Sequence, residues 1–237
     1  MTIRGILFDK DGTLIDFEAS WSRVYRELSL DLAGGNALRA EAMMIAGGLD
    51  RATGRIRAGT VLASGTTIDI AKLWFPELDG DAFLALVGDI DGVFHRNGIA
   101  FSVAMPGLAE TLDRLAGMGF VMGVATSDGT AATKAALEML GVAPLLPHVF
   151  GYDSVARPKP APDMVEAFAA ATGLAPHEIL VIGDNHHDLA MAKAAGAGVA
   201  IGVLSGTGEE SDLAPLADAI LPDINALPGW LEHQNMK

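Results

Sequence analysis

The chain has 237 residues, half of them hydrophobic, which is enough for one large α/β domain or a core of about 150 residues with a smaller insert. Its 30 acidic residues outnumber 16 basic ones, the net charge is −14, and cysteine is absent. This balance argues against a nucleic-acid partner, because a phosphate backbone is bound by a basic patch. Disulfides and thiolate chemistry are excluded. We expect a cytoplasmic protein without a membrane partner, since the sequence lacks an apolar run of about 18 residues.

The first element is a short apolar run at residues 6–8, which predicts a buried strand that ends at Asp9. A turn is predicted at residues 11–13, Asp-Gly-Thr. Residues 16–100 differ in character: they are rich in Ala, Arg, Glu and Leu, are interrupted by glycines, and predict several helices without a confident strand.

The predicted domain organisation follows from this change in composition. We expect a helical cap domain over residues 16–100, inserted after the first strand of a core built from residues 1–15 and 101–237. The candidate hinges lie near residues 15–17 and 97–106.

Short apolar segments alternate with helical patterns in the rest of the chain. Helices are predicted from Pro106 to a stop at Gly119 and over residues 130–140, 161–172 and 189–195, and strands over residues 120–125, 179–182 and 199–204. An edge strand and a short helix are expected within residues 219–231. Such alternation predicts an α/β fold with a doubly wound parallel sheet, in which ligands bind beyond the carboxyl ends of the strands.

Three polar residues follow predicted strands and should therefore meet at one edge of the sheet: Asp9, Thr126 and Asp184. The segment DKDGTL, residues 9–14, adds a second carboxylate, Asp11, on the turn. A carboxylate held at a strand end can act as a nucleophile, and one on the adjacent turn can transfer a proton. The alternative is an Asp-Gly turn with incidental acidic residues.

Four motifs in order resemble those of the haloacid dehalogenase-like hydrolase superfamily. They are DKDGTL at residues 9–14, Thr126 after a strand, Lys159 within RPKPAPD at residues 157–163, and Asp184 with Asp188 in GDNHHD at residues 183–188. The insert is similar to the helical cap of the phosphoglycolate phosphatase-like branch. The resemblance implies a Rossmann-like core and a closing cap that expels water.

The resemblance also implies the roles of the central residues. Asp9 would be the nucleophile, and Asp11 would protonate the leaving group and then deprotonate the attacking water. Mg²⁺ would be held by Asp9, Asp184 and the backbone carbonyl of Asp11. This matches the preference of Mg²⁺ for oxygen ligands.

Further residues of the family pattern would bind the phosphate or support the metal. The predicted phosphate contacts are Thr126, Ser127 and Lys159, and Lys159 would also restrain the nucleophile. Asp188 is expected to orient metal-bound water molecules, or to act as an occasional direct ligand.

An acidic residue at position 11 favours phosphate-ester chemistry, because a halide leaving group needs no proton. We therefore expect a magnesium-dependent phosphatase that hydrolyses a small phosphate monoester, such as 2-phosphoglycolate, through an aspartyl-phosphate. The alternatives are a phosphomutase acting on a sugar phosphate and a non-catalytic binding module with the same fold. The expected partner is a small phosphorylated metabolite, and the chain would be a monomer or a homodimer.

Several other residues have two open interpretations. Phe17, Glu18 and Trp21 could face the substrate. Three arginines, Arg51, Arg55 and Arg57, could contact it from the cap, although three arginines in seven residues more often form a solvated helix face.

The remaining unusual residues are expected not to touch a catalytic group. In the family pattern, the residue between the two acids is more often small, polar or aromatic than lysine, as at Lys10. Residues 185–187 stand where that pattern more often has Thr or Ser. We expect His186 and His187 to be exposed or to stabilise a loop. The segment SGTG, residues 205–208, is expected to be a plain loop rather than a phosphate cradle.

Overall fold

A six-stranded parallel sheet organises the protein, whose computed structural model describes residues 2–234. The strands of the described chain are β1 (Gly5–Phe8), β2 (Val121–Ala125), β3 (His148–Phe150), β4 (Ile179–Gly183), β5 (Val199–Val203) and β6 (Ala219–Leu221). Their order is β3-β2-β1-β4-β5-β6, and every neighbouring pair is parallel. This confirms the predicted doubly wound α/β fold, with the chain's first strand at the centre of the sheet.

Helices fall into two groups along the chain. Those between β1 and β2 are α1 (Phe17–Leu32), α2 (Ala37–Gly47), α3 (Val61–Ser64), α4 (Thr67–Trp74) and α5 (Gly80–Phe101). Those that follow are α6 (Leu108–Gly117), α7 (Thr130–Met139), α8 (Asp163–Thr172), α9 (His186–Ala195), α10 (Glu210–Leu213) and α11 (Leu227–His233). No helix among the described residues combines the length and apolar character needed to cross a bilayer.

All four residues of β1 are buried. Since successive side chains of a strand point to opposite faces, the central strand is covered on both sides. Ile6 and Phe8 belong to an apolar cluster with Leu112 of α6, whereas Leu7 belongs to another with Phe168 of α8. A continuous apolar run is what a parallel strand with helices on both sides requires.

Helices α1 to α5 share an apolar cluster of their own, formed by residues from Phe17 to Phe94. The isolated bridge between Leu49 and Ile56 is the only strand-like pairing within residues 17–101 of the described chain. A separate cluster supports the proposed division into core and cap, whose boundaries stay a prediction.

The two connections between core and cap run side by side. Ile15 forms an antiparallel bridge with Ala104, and the Asp16 N–H donates to the Val103 carbonyl at 2.9 Å. The Asp16 carboxylate also caps α1 by accepting from the Ala19 N–H at 3.0 Å. Since α5 continues to Phe101, the second connection is shorter than the predicted hinge.

Three local details differ from the sequence predictions. Strand β3 was not predicted, since its three residues are too few to show alternation. Helix α6 begins after Gly107, so Pro106 lies before the helix rather than in its first turn. Helix α9 begins at His186, earlier than expected, because Asn185 and Asp188 form a capping box there.

Candidate active site

The parallel register places Asp9, Thr126 and Asp184 at the same edge of the sheet, as predicted. Phe8 is in register with both Val124 and Ile182, so the residues that follow these strands are neighbours. The Asp9 N–H donates to the Ile182 carbonyl at 2.8 Å, which ties the end of β1 to β4. All three side chains are buried.

A compact acidic group lies at this edge. Oxygen atoms of Asp9, Asp184 and Asp188 lie within 4.8 Å of one another. The Lys159 Nζ donates to Asp9 Oδ1 and to Asp188 Oδ1, each at 2.5 Å. The four side chains are almost entirely buried, so three carboxylates face a single ammonium group.

The protonation equilibria of these groups reflect the crowding. Burial raises the pKa of Asp9 to about 6, with a further contribution from Asp188, while Lys159 opposes the rise. Burial, Asp9 and Asp188 raise the pKa of Asp184 well above its ordinary value. Burial lowers the pKa of Lys159, but Asp188 and Asp9 outweigh this effect and hold its pKa above the usual range. The group therefore carries excess negative charge in a dry environment.

This group has the chemistry of a divalent-cation site. Carboxylate oxygens are hard ligands of the kind that Mg²⁺ prefers, and Mg²⁺ is commonly held by one or two carboxylates with water. Burial is the largest cause of the raised pKa values of Asp9 and Asp184, and the neighbouring carboxylates add to it; a cation would neutralise that neighbouring charge. The residues present therefore fit the predicted metal, and Asp188 belongs to the same group, with an oxygen atom within 4.8 Å of those of Asp9 and Asp184.

The loop at residues 205–208 packs directly on Asp184, a contact that the sequence reasoning missed. The Thr207 N–H donates to Asp184 Oδ2 at 2.8 Å, and the Ser205 hydroxyl donates to the Gly12 carbonyl at 2.7 Å. A Cβ atom on Gly206 would lie 2.0 Å from Asp184 Oδ2. The small residues of SGTG were the available signal: they allow this close approach and fix the carboxylate's orientation.

Asp11 is held from both sides. Its Oδ1 accepts from the Trp21 Nε1–H at 2.5 Å, and its Oδ2 lies 2.9 Å from the Lys10 Nζ. Lys10 also bonds Asp128 Oδ2 at 3.1 Å. The expectation that Lys10 touches no catalytic candidate is therefore wrong, because its side chain folds back from the strand end onto the neighbouring turn.

A cavity of about 50 Å³ lies between the acidic group and the cap. Trp21 and Phe17 line it, whereas Glu18 lines an adjacent open cleft with Arg55 and Arg57. Arg51 lies away from both and pairs with Glu41 at 3.1 Å. Other residues from the cap line the cavity: Tyr25, Leu62, Ala63, Ser64, Gly65, Thr67, Ile70 and Phe94.

The predicted phosphate contacts lie on the core side of the cavity. The Thr126 hydroxyl accepts from the Asp128 N–H at 3.1 Å. The Ser127 hydroxyl donates to the Ser64 carbonyl at 3.0 Å and so joins the core to cap helix α3. Lys159 completes this wall.

The two histidines have different environments. His186 is exposed, as expected, but His187 is half-buried and lines the cavity. Burial, with a smaller effect of His186, lowers the pKa of His187. The His187 Nδ1 atom is buried and has no hydrogen-bond partner among the described residues.

Comparison with known proteins agrees with this architecture. Residues 3–196 match the model of a family described as haloacid dehalogenase-like hydrolase. The chain is 33% identical over 207 residues to the "Probable phosphatase IndB" of Dickeya dadantii (strain 3937), covering 85% of this chain and 81% of that protein. It is 30% identical over 246 residues to the phosphoglycolate phosphatase of Escherichia coli (strain K12), covering 95% and 91%.

A solved structure shows the same fold at lower identity. The predicted phosphoglycolate phosphatase from Haemophilus somnus 129pt superposes with a TM-score of 0.74 at 22% identity, covering 97% of this chain and 98% of that one. The chain belongs to the haloacid dehalogenase-like hydrolase family, in its phosphoglycolate phosphatase-like branch. It is a phosphatase of that family.

Proposed function

We propose that this phosphatase is magnesium-dependent and hydrolyses a small phosphate monoester through an aspartyl-phosphate on Asp9. The observation that carries the proposal is the buried group of Asp9, Asp184, Asp188 and Lys159 at the carboxyl edge of the sheet, with Asp11 on the adjoining turn. Mg²⁺ held by Asp9, Asp184 and the Asp11 backbone carbonyl would neutralise charge, so that a carboxylate can approach an anionic phosphate.

The first step transfers the phosphoryl group to the enzyme. A carboxylate oxygen of Asp9 attacks phosphorus while Thr126, Ser127 and Lys159 bind the phosphoryl oxygens. The bond from phosphorus to the ester oxygen breaks, and the Asp11 carboxyl group gives its proton to that oxygen. Lys159 lies 2.5 Å from Asp9, close enough to restrain the nucleophile.

The second step restores the enzyme. Asp11, now a carboxylate, accepts a proton from a water molecule that attacks the phosphorus of the aspartyl-phosphate. Inorganic phosphate leaves and the Asp9 carboxylate is regenerated. Asp188 supports both steps by holding Lys159 at 2.5 Å, and with Mg²⁺ bound it would also help to orient the ion's water ligands.

The substrate should be small, because residues of the cap close over the cavity beside the acidic group. Cap residues form much of its wall and would exclude bulk water from the phosphoryl group. The names of the phosphoglycolate phosphatases among the relatives make 2-phosphoglycolate the first compound to assay.

Replacement of the nucleophile tests the mechanism. We expect Asp9→Asn to lower the release of phosphate from p-nitrophenyl phosphate by at least ~10³-fold, because an amide cannot form the acyl phosphate. Asp89→Asn, which alters an exposed acid on α5, is the matched control and should retain parental turnover. Chelation should stop the parent enzyme, and added Mg²⁺ should restore it.

Trapping provides a second measurement of the same step. Acid quenching of the parent during turnover of a ³²P-labelled substrate should leave acid-stable label on the protein, and Asp9→Asn should carry none. If Asp9→Asn turns over like the parent, the proposed nucleophile is wrong.

A further inference from the structure

Lys10 is a buried cation that the proposed mechanism does not use. Its side chain is 2% exposed, although it lies in the turn between the two acids of the first motif. Its Nζ atom lies 2.9 Å from Asp11 Oδ2 and 3.1 Å from Asp128 Oδ2. A buried ammonium costs several kcal/mol unless it is paired, so this pair of contacts fixes where Lys10 can lie.

Trp21 approaches the same carboxylate from the cap. Its Nε1–H donates to Asp11 Oδ1 at 2.5 Å, and its ring lies 5.1 Å from the Lys10 Nζ. The indole is held in turn by a stacked contact with Tyr25 at 5.4 Å and an edge contact with Phe94 at 5.1 Å. Trp21 therefore has little freedom to move independently of helix α1.

We propose that Lys10 and Trp21 are positioning residues that together aim the Asp11 carboxyl group at the leaving-group oxygen. The proposal rests on the proposed function, in which the proton of Asp11 moves to the ester oxygen as that oxygen separates from phosphorus. Neither Lys10 nor Trp21 exchanges a proton with the substrate.

The two contacts act on different oxygen atoms, and this is why both are needed. A single contact would leave the carboxyl group free to rotate about its Cβ–Cγ bond. Lys10 also lies between Asp11 and Asp128, two acidic side chains that would otherwise repel each other. Misplacement of a catalytic group by about 1 Å can lower a rate by about 100-fold, so small rotations of Asp11 matter.

Lys10 and Trp21 come from different parts of the molecule, so the position of Asp11 depends on the position of the cap. Lys10 belongs to the core turn and Trp21 to helix α1 of the proposed cap, so Asp11 is held on both sides only when α1 packs against that turn. Proton donation then depends on the closed arrangement of the two parts.

The effect of each substitution can be compared for a good and a poor leaving group. Loss of a purely structural contact would lower kcat/KM equally for both substrates and leave their ratio unchanged. p-Nitrophenolate departs readily without a proton, whereas the alkoxide from benzyl phosphate requires one, and the two substrates are similar in size. We expect Lys10→Met and Trp21→Phe each to lower kcat/KM for benzyl phosphate about 10- to 100-fold more than for p-nitrophenyl phosphate, part of the 10²–10⁴-fold range of general acid catalysis. The ratio of the two kcat/KM values is the quantity measured.

Matched controls separate positioning from loss of packing. Trp74→Phe removes another indole hydrogen bond of the cap, the 2.8 Å contact with the Met43 carbonyl, and Lys134→Met removes an exposed lysine on α7. Both should leave the substrate ratio at its parental value. In an Asp11→Asn background, Lys10→Met should change the ratio no further, because the group that it positions has been removed.

The outcomes distinguish this inference from the function beneath it. If the parent hydrolyses neither ester, the proposed function fails and the inference fails with it. If the parent is active but Lys10→Met and Trp21→Phe lower kcat/KM by the same factor for both esters, only the inference is overturned. Should Lys10→Met fail to fold, Trp21→Phe decides alone, because it keeps the aromatic packing.

Discussion

The acidic group of the core and the aromatic group of the cap are built on opposite principles. The first confines Asp9, Asp184 and Asp188 with one lysine, and burial raises the pKa of both Asp9 and Asp184. The second packs the rings of Trp21, Tyr25 and Phe94 against one another at centroid distances of 5.1–5.9 Å. The difference teaches that electrostatic strain collects at the candidate site of the core, whereas the aromatic group of the cap is stabilised chiefly by packing.

The two groups meet at Asp11. One oxygen of its carboxyl group contacts Trp21, and the other contacts Lys10 beside the acidic group. Substitutions in the two groups should therefore change the free energy of unfolding in different ways, and the largest change is expected in the aromatic group.

The aromatic group should behave as a packed core. We expect Phe94→Ala to lower the free energy of unfolding by about 3–5 kcal/mol, because the ring is 4% exposed and its removal leaves a cavity. Leu84→Ala on the same helix is the control, since Leu84 is 66% exposed and should cost less than about 0.5 kcal/mol. Urea unfolding measures both. If both variants lost the same free energy of unfolding, packing of the aromatic rings would not stabilise the cap more than an exposed side chain does.

The acidic group should behave in the opposite way when metal is chelated. In EDTA at pH 8 we expect Asp184→Asn to raise the free energy of unfolding by about 1–3 kcal/mol, since one repelling charge is gone. Asp89→Asn, an exposed acid on α5, should have no such effect.

The pH dependence of that gain follows from the direction of the shifts. Asp9 has a folded pKa of about 6 against an ordinary 3.8, and that of Asp184 is also raised, so protonation favours the folded state. Their stabilisation is complete below pH ~4 and is lost as the pH rises through the folded pKa values. The advantage of Asp184→Asn should therefore shrink as the pH falls from 8 towards 5. If the stability gain of Asp184→Asn were the same at pH 5 and pH 8, repulsion among the ionised carboxylates would not be its cause.

The smallest predicted effect concerns the boundary between the two regions. The Tyr152 hydroxyl, on the core side, donates to Asp91 Oδ2 of α5 at 2.6 Å, and Thr67 of α4 donates to the other oxygen at 2.6 Å. We expect Tyr152→Phe to lower the free energy of unfolding by about 1 kcal/mol. In a Thr67→Val background the loss should be larger, because Asp91 then has neither donor. An unchanged stability in both backgrounds would mean that this contact does not join the regions.

Much of the site could be predicted from the sequence because its parts follow strands. Asp9, Thr126 and Asp184 each follow an apolar run, and a parallel sheet brings such positions to one edge whatever the intervening chain does. The helices between β1 and β2 were predictable from composition, because the residue types of a segment favour a helix locally. Strand β3 was not, since its three residues carry too little pattern.

Contacts between distant segments could not be predicted in this way. Nothing in DKDGTL indicates that Lys10 reaches Asp128. The small residues of SGTG permit a close approach of another segment, but they do not identify Asp184 as the acceptor of the Thr207 N–H. These contacts depend on how loops from different parts of the chain pack after the sheet has formed.

The sequence by itself determined the order of strands and helices and the acidic residues at the strand ends, because hydrophobic periodicity and turn chemistry act locally. Only the tertiary structure decided which side chains hold Asp11 and how closely the three carboxylates approach. Those outcomes depend on burial and on packing between cap and core, which place Trp21 of helix α1 on the core turn and join Lys159 to Asp9 across 150 positions of the chain.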